Sequence, residues 1–299
     1  EVHLARGWRI TRGVRRGLTM LLVCAPLAVA QQAPRTFKFK QTAQGPLDLI
    51  VDYPADWRAA DTRSAIVLFF GGAWASGSVE QFSRQALYFV SRGMVSIRPD
   101  YRTASRHHTE PDSAVEDARS AVRWVRTHAH ELGIDPNRIV AAGGSSGGHL
   151  AACTVQCAPT ANDDSSVSSR PNALVLFNPV VDIGVLAQLP APFPSFLQAF
   201  PLLASDTALQ ERISPLAHTK RGDPPALLMF GTRDPLFASG KLYADRLTAA
   251  GVRVDIFTAE GVGHGFFNRS PWYERTLHRA DEFLSSLGYV SGKPSIVAP

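Results

Sequence analysis

The stretch that most constrains this chain is residues 139–150, Ile-Val-Ala-Ala-Gly-Gly-Ser-Ser-Gly-Gly-His-Leu. An apolar run typical of a β-strand leads into glycines and serines, and the Leu-Ala-Ala-Cys that starts at Leu150 is typical of a helix. A strand, a tight turn and a helix are the context in which Gly-x-Ser-x-Gly places a serine on a sharp turn, where glycines avoid steric clashes. The motif fits twice, with Ser145 or Ser146 at its centre. The stretch therefore predicts an α/β fold with a nucleophilic serine at a strand end.

The rest of the chain alternates short apolar runs with stretches of helical periodicity. We predict strands at 47–53, 65–70, 94–98, 173–177, 226–230 and 252–257, and helices at 82–92, 113–131 and 273–287. The residues that precede position 47 are interpreted as a polar linker. Strands that alternate with helices favour a mostly parallel central sheet flanked by helices and joined by right-handed crossovers.

One segment interrupts this alternation. Residues 183–224 are rich in apolar residues, contain several prolines and show no strand pattern. They predict a small helical cap insertion over one end of the sheet. An ordinary long surface loop is the alternative, although structureless loops of this length are uncommon in compact domains.

The first thirty residues differ in composition from the rest, because they carry five of the 31 basic residues but one of the 26 acidic residues. An apolar stretch from Leu18 to Ala30 ends in Ala-Val-Ala, which is typical of a cleaved secretory signal. We predict a signal peptide at 1–30, a catalytic domain at 31–299, a secreted or periplasmic location and no stable membrane association after cleavage. An uncleaved membrane anchor is the alternative. Without this signal the chain is nearly neutral, so no nucleic-acid partner is expected.

The three cysteines do not suggest a metal site. Cys24 lies in the predicted signal, and Cys153 and Cys157 are four residues apart just after the serine motif. On one helix face their Cα–Cβ bonds would be parallel, which would strain a disulfide. We therefore expect both to be buried small apolar residues. No cluster of ligands with metal spacing is recognised, and no cofactor is expected.

A serine hydroxyl becomes an effective nucleophile when a histidine takes its proton and a carboxylate orients that histidine. In proteins with this type of serine turn, the partners follow in the order serine, acid, histidine. Asp234 follows the strand predicted at 226–230, and His264 lies in a glycine-rich loop after the last predicted strand. Both positions are at the carboxyl ends of parallel strands, where ligands bind in open α/β sheets. Asp182, at another strand end, is the alternative acid.

The oxyanion of an acyl-transfer reaction needs backbone N–H donors that are held in place before the reaction. One donor comes from the residue after the nucleophile, and the other comes from the loop after the third strand. That loop reads Phe-Phe-Gly-Gly-Ala-Trp over residues 69–74, and its glycines allow the close backbone approach that such a site requires.

These motifs, taken together, resemble the secreted esterase branch of the α/β-hydrolase fold. The chain is similar to the hormone-sensitive-lipase-like and the bacterial feruloyl and acetylxylan esterase-like families over most of residues 45–287. The matching segments are Phe70–Trp74, Asp100-Tyr101-Arg102, Gly143–His149, Gly231–Asp234 and Gly263–Phe266. The resemblance implies Ser145 as nucleophile, with His264 as base and Asp234 as acid. It also implies that Gly72, Ala73 and Ser146 supply the oxyanion donors.

The chain departs from this family pattern at two positions of the first loop. Phe70 stands where the family has a histidine that braces the loop, and Ala73 stands in place of a third glycine. Ala73 fits this position if its backbone avoids positive φ. The neighbouring Trp74 is predicted to contact substrate in the acyl pocket, with a plain core position as the alternative.

These observations predict a serine carboxylesterase that works through an acyl-enzyme on small-molecule or polysaccharide esters. The small predicted cap with its phenylalanines, together with Trp74 at the acyl site, favours short acyl groups. The export signal and the resemblance imply acetyl groups on xylan-like glycans as a candidate substrate. The alternatives are a feruloyl esterase, a serine peptidase of the same fold, and a non-catalytic member of the fold that binds ligands.

Overall fold

The computed structural model describes residues 32–159 and 166–298, so the predicted signal peptide lies outside the described residues. Eight strands form one sheet in this part of the chain. They are β1 (Arg35–Thr42), β2 (Gly45–Asp52), β3 (Arg63–Phe69), β4 (Val95–Pro99), β5 (Ile134–Gly144), β6 (Ala173–Phe177), β7 (Ala226–Gly231) and β8 (Val254–Ala259). Their spatial order is β1-β2-β4-β3-β5-β6-β7-β8. β2 is antiparallel to β1 and β4, and the remaining neighbours are parallel.

Ten α-helices and four short 3-10 helices are described. The α-helices are α1 (Ser83–Ser91), α2 (Ala104–His107), α3 (Pro111–Thr127), α4 (Ala129–Leu132), α5 (Ser146–Cys153), α6 (Phe193–Gln198), α7 (Pro201–Ser205), α8 (Thr207–Arg212), α9 (Phe237–Ala249) and α10 (Trp272–Ser286). The 3-10 helices are Val79–Phe82, Leu186–Gln188, Pro215–His218 and Phe266–Asn268. None of the helices in the described part of the chain has the length and hydrophobicity needed to span a bilayer.

Two of the parallel strands are buried along their whole length. Every residue of β6 and β7 is buried, as expected for parallel strands that carry helices on both faces. Helices α1, α3, α5, α9 and α10 pack against the sheet. The predicted fold class, a mostly parallel sheet flanked by helices, is confirmed. Because β3 and β5–β8 are parallel, the loops that follow their carboxyl ends lie along one edge of the sheet.

An edge strand and a long helix are among the elements missing from the sequence-based prediction. The interpretation of the residues between the predicted signal and position 47 as a linker is wrong, because Arg35–Thr42 form β1, an edge strand of the sheet. Phe37 and Phe39 are half-buried and alternate with lysines, and charged side chains are common on edge strands. Helix α9 was also missed. Its buried positions include Gly240 and Ala244, which give a weak hydrophobic pattern.

The chain between β6 and β7 is helical, with α6, α7, α8 and two of the 3-10 helices. Phe193, Phe200 and Leu203 are buried there. The Glu110 carboxylate, which precedes α3, accepts hydrogen bonds from the N–H groups of Leu202 and Leu203, at 3.1 Å each. A carboxylate at the start of a helix satisfies backbone donors that have no partner within the helix. This contact connects the insertion to the body of the domain.

The expectation that Cys153 and Cys157 are unpaired is wrong. The structure joins them in a disulfide, with their Cα atoms 4.5 Å apart. The expectation assumed that both residues lie on one helix face, but α5 ends at Cys153. Cys157 therefore follows a turn, which brings its side chain back toward Cys153. Both residues are buried.

We predict that reduction of this disulfide lowers the free energy of unfolding by about 2 kcal/mol, because the closed loop is short and the lost chain constraint is small. Urea unfolding of the oxidised protein, the reduced protein and the double variant Cys153→Ala/Cys157→Ala checks this. The reduced protein and the double variant should unfold at similar urea concentrations. Alkylation of both cysteines in the denatured, unreduced protein would contradict the pairing.

Candidate active site

The serine turn is sharp and strained. Ser145 lies between β5 and α5 with φ of 56° and ψ of −121°, which is rare for a residue with a side chain. The turn brings backbones into close contact, since a Cβ atom added to Gly147 would lie 2.1 Å from the Phe69 carbonyl oxygen and 2.3 Å from that of Phe70. Glycine is therefore required at 147. The turn places the Ser145 hydroxyl at the edge of the sheet, in an open cleft.

Three predicted residues form a continuous hydrogen-bonded chain. The Ser145 Oγ atom is 2.9 Å from His264 Nε2, and His264 Nδ1 is 2.8 Å from Asp234 Oδ2. A carboxylate only accepts hydrogen bonds, so the proton of the neutral imidazole is on Nδ1, and Nε2 is the acceptor that faces the serine hydroxyl. The other oxygen of Asp234 accepts a bond of 2.9 Å from the Leu236 N–H. The Asp234 side chain is fully buried, while the His264 side chain is 27% exposed.

The alternative acid is not part of this chain. Asp182 accepts a hydrogen bond of 2.9 Å from the Gly184 N–H and lines a separate surface pocket beside Arg246. The structure thus brings Asp234, rather than Asp182, to the histidine. Ser146 begins α5 and is buried, so Ser145 is the serine that faces His264.

The predicted oxyanion loop lies beside the serine. Gly72 and Ala73 line the same cleft as Ser145 and His264. Ala73 was expected to fit this loop if its backbone avoids positive φ. The structure does not meet this condition, because the φ of Ala73 is 54° and that of Trp74 is 56°. A tight turn imposes this conformation, since the N–H groups of Ala75 and Ser76 both donate to the Gly72 carbonyl, at 3.0 and 3.1 Å.

The histidine that braces this loop in related proteins is replaced by other contacts. The Phe70 ring stacks on Tyr101 with 4.0 Å between centroids, and the Tyr101 hydroxyl donates to the Phe70 carbonyl at 2.8 Å. Burial raises the pKa of Tyr101, so its hydroxyl remains a donor. Gln81 Oε1 accepts a bond of 2.5 Å from the Gly71 N–H. Tyr101 and Gln81 therefore fix the loop that a histidine at position 70 would otherwise brace.

Trp74 does not occupy the position predicted for it. Its ring is 2% exposed and is absent from the lining of the cleft that holds Ser145. The indole packs edge-on against Phe200 of the insertion and donates a hydrogen bond of 3.1 Å to His149 Nδ1. The predicted substrate contact is corrected to a core position, because the polar indole N–H is used to bind a buried histidine.

His149 connects two parts of the site. Since the indole only donates, Nδ1 of His149 is an acceptor, and the Nε2–H donates to the Ile213 carbonyl at 2.6 Å. Burial lowers the pKa of His149 to about 4, although the bond to Ile213 opposes this shift. The imidazole is therefore neutral, and it joins the oxyanion loop to the end of the insertion.

The residue spacing predicts no cluster of metal ligands, yet three residues with ligand atoms come together in the core. The ligand atoms of His149, Cys153 and Cys157 lie within 4.8 Å of one another. Both ring nitrogens of the histidine are engaged in hydrogen bonds, and both sulfur atoms belong to the disulfide. These residues therefore offer no free ligand to a metal ion.

The cleft in front of Ser145 has a volume of about 340 Å³. Phe196 of the insertion and Phe267 supply apolar surface, while Asn178 adds a polar group. A larger groove of about 500 Å³, between the β1–β2 hairpin and α3, contains neither Ser145 nor His264. Phe196, Phe267 and Asn178 are not among the site residues predicted from the sequence. Asn178 directly follows β6, and Phe267 lies three residues after His264 in the loop that follows β8. A position after the carboxyl end of a strand is the sequence feature that could have indicated both as wall residues of the cleft.

With this geometry in place, comparison with known proteins identifies the family. A family model for the alpha/beta hydrolase fold matches residues 66–268. The chain belongs to the α/β-hydrolase family. Carboxylesterase NlhH of Mycobacterium tuberculosis is 31% identical over 228 residues, which cover 70% of this chain and 68% of NlhH.

Solved structures of a thermophilic esterase from Thermogutta terrifontis, esterase 2, have the same fold. The propionate-bound form is 41% identical, has a TM-score of 0.77, and the match covers 87% of this chain and 96% of that one. The form phosphonylated by sarin is 40% identical, with a TM-score of 0.81 and coverage of 88% and 98%. The predicted resemblance to esterases of this fold, and the enzyme class of carboxylic ester hydrolase, are confirmed at the level of the family.

The buried histidine leads to a prediction about acid stability. The pKa of His149 is about 4 in the folded protein, against an ordinary value of 6.5. Between these values the unfolded chain binds a proton that the folded chain does not, so the free energy of unfolding falls as the pH falls through this window. Across this whole window the free energy of unfolding falls by about 3 kcal/mol.

Urea unfolding between pH 4 and 7 measures this loss. The control is His149→Gln, whose amide can accept from Trp74 and donate to Ile213 but does not titrate. The variant should lose less stability than the natural protein as the pH falls. An identical pH dependence in both proteins would contradict the prediction.

Proposed function

We propose that this chain is a serine carboxylesterase that hydrolyses short-chain acyl esters through an acyl-enzyme. The observation that carries the proposal is the hydrogen-bonded chain from Ser145 through His264 to Asp234, which opens into a cleft. Ser145 Oγ attacks the acyl carbon while its proton passes to His264 Nε2. Asp234 holds the imidazole with its proton on Nδ1 and stabilises the imidazolium that forms.

The tetrahedral intermediate places negative charge on the former carbonyl oxygen. In the proposed mechanism the backbone N–H groups of Gly72, Ala73 and Ser146 bind this oxygen, and the contacts of Tyr101 and Gln81 hold the loop before the reaction starts. The ester C–O bond then breaks, and His264 gives its proton to the leaving alcohol. Water attacks the acyl-enzyme in the reverse sense, which releases the acid and restores Ser145.

We propose short acyl groups, from acetyl to butyryl, because Phe196 and Phe267 limit a cleft of modest size. The related thermophilic esterase is described with propionate bound, which supports this range. Acetylated xylan or a similar glycan is the natural substrate that the family resemblance suggests. A feruloyl ester is the second candidate, since the two phenylalanine rings could also contact a phenolic ring.

We also propose that the protein acts outside the cytoplasm, as a secreted or periplasmic enzyme. The basic and apolar pattern of residues 1–30 supports this proposal. The disulfide between Cys153 and Cys157 is a second support, because structural disulfides are rare in reducing compartments.

The nucleophile is tested with two adjacent serines. Ser145→Ala should lower kcat by about a million-fold, because the reacting oxygen is lost. Ser146→Ala should keep most of the activity, since it retains the backbone N–H. A serine-reactive phosphonate should label the natural protein and Ser146→Ala, but not Ser145→Ala, as measured by intact mass. Folded natural protein that forms no adduct would favour a non-catalytic binding protein.

The substrate range is tested with p-nitrophenyl esters of increasing chain length, beside acetyl-xylan and methyl ferulate. We expect kcat/KM to be highest from acetate to butyrate and to fall at least tenfold, by about 1–3 kcal/mol, once the chain exceeds the cleft. A maximum at long acyl chains would contradict the short-chain proposal and indicate a lipase. Preference for methyl ferulate over acetyl-xylan would favour the second candidate.

A further inference from the structure

Asn178 lies beside His264, and contacts with neighbouring strands fix its position and its backbone conformation. It directly follows β6 and is fully buried, with φ of 37°. Its backbone N–H donates to the Met229 carbonyl at 2.7 Å, which ties it to β7. On the other side, the Ser145 N–H donates to the Phe177 carbonyl at 2.9 Å. Asn178 is therefore held between the strand that carries the serine and the strand that precedes Asp234.

The orientation of the Asn178 amide is fixed by one hydrogen bond. The Gly265 N–H donates to Asn178 Oδ1 at 3.2 Å. Since a backbone N–H can only donate, the oxygen of the amide faces Gly265 and the amide nitrogen faces the other way. That nitrogen, Nδ2, is 3.4 Å from His264 Nε2. In the resting site Nε2 is an acceptor, so an N–H of Asn178 and the hydroxyl of Ser145 point toward the same nitrogen.

We propose that Asn178 is a catalytic hydrogen-bond donor that binds the leaving alcohol oxygen while the acyl-enzyme forms. The inference rests on the proposed function and adds a residue to it. The leaving oxygen must approach His264 Nε2 in order to take its proton. Because Nδ2 and Nε2 are 3.4 Å apart, an oxygen at about 2.9 Å from Nε2 can also accept a hydrogen bond from Nδ2.

When His264 Nε2 takes the serine proton, the amide N–H of Asn178 becomes available to bind the leaving oxygen. Once Nε2 has taken the serine proton, it carries N–H and no longer accepts, so the amide N–H of Asn178 loses its resting partner. The C–O bond of the ester then breaks, and its electron pair moves to the alcohol oxygen. His264 transfers the proton to this oxygen, while Asn178 stabilises the developing charge and transfers none. In deacylation, the attacking water occupies the same place.

Two variants separate this role from a purely structural one. Asn178→Asp is isosteric, tolerates positive φ and can still accept from Gly265, but it replaces the donor with a carboxylate. Asn178→Gly also tolerates positive φ and removes the donor without adding charge. Thermal unfolding of each variant reports whether the fold is retained.

The readout is kcat/KM for acetate esters with leaving groups of increasing basicity, from p-nitrophenyl through phenyl to ethyl, because this constant reports acylation. A donor to the leaving oxygen matters most when that oxygen carries the most charge. Both variants should therefore lose about 100-fold on ethyl acetate and less than about tenfold on p-nitrophenyl acetate. In Asn178→Asp the acid limb of the pH profile should also rise by about one unit, because a carboxylate beside His264 favours the imidazolium. Asp234 is the other acidic side chain in contact with His264 in the described part of the chain.

The matched control is Asn172→Asp, at the opposite end of β6. The Asn172 side-chain oxygen also accepts from a backbone N–H, that of Ile139 at 3.1 Å, and lies away from the cleft. This variant should show the same dependence on leaving group and the same pH profile as the natural protein.

An equal loss on all three esters in both Asn178 variants, with no shift of the acid limb in Asn178→Asp, would overturn the inference and leave Asn178 a purely structural residue. Activity of the natural protein on the same esters separates this failure from a failure of the proposed function. If the natural protein hydrolyses none of them, both are overturned.

Discussion

The contact between the serine turn and the end of β3 is the constraint on which the rest of the site depends. A Cβ atom on Gly147 would collide with carbonyl oxygens of β3 and its loop, and one on Gly71 would lie 2.7 Å from the Gly144 oxygen. Two backbones therefore meet with no side chain between them. This contact sets the spacing between the proposed nucleophile and the proposed oxyanion donors before substrate binds, and fixed spacing of such dipoles is what the proposed catalysis requires.

Around this contact, hydrogen bonds from polar side chains take the place of the loop histidine of related proteins. Tyr101 and Gln81 each bind one backbone group of the oxyanion loop, and His149 binds the indole of Trp74. Each of these bonds has a partner that can take one role only, either donor or acceptor. The direction of each hydrogen bond is therefore fixed. A buried polar group that lost its partner would lower the free energy of unfolding by about 1–3 kcal/mol. Such networks hold one arrangement and exclude others.

The sequence predicted those features that depend on order along the chain. Ser145, Asp234 and His264 follow strands in the expected order, and parallel strands bring their ends to one edge, so three distant residues could be placed together. It failed where the conformation depends on the geometry of a particular turn or helix end, or on a contact between residues that are distant in sequence. The positive φ of Ala73 follows from hydrogen bonds to Gly72, and the disulfide follows from a helix that ends one turn earlier than the pattern suggested. Trp74 was misplaced because its partner, His149, is distant in sequence.

The attachment of the insertion has a consequence for how the specificity of this enzyme can be changed. Glu110 binds two main-chain N–H groups at the start of α7, and His149 binds the main-chain oxygen of Ile213. Both anchors belong to the body of the domain, and on the insertion they recognise peptide groups that every residue except proline possesses. Side chains such as Phe196 can therefore be exchanged without loss of either anchor. The cleft-facing side chains of the insertion are therefore replaceable, and libraries that randomise them would retain the two anchors and the buried side chains that pack on the body of the domain.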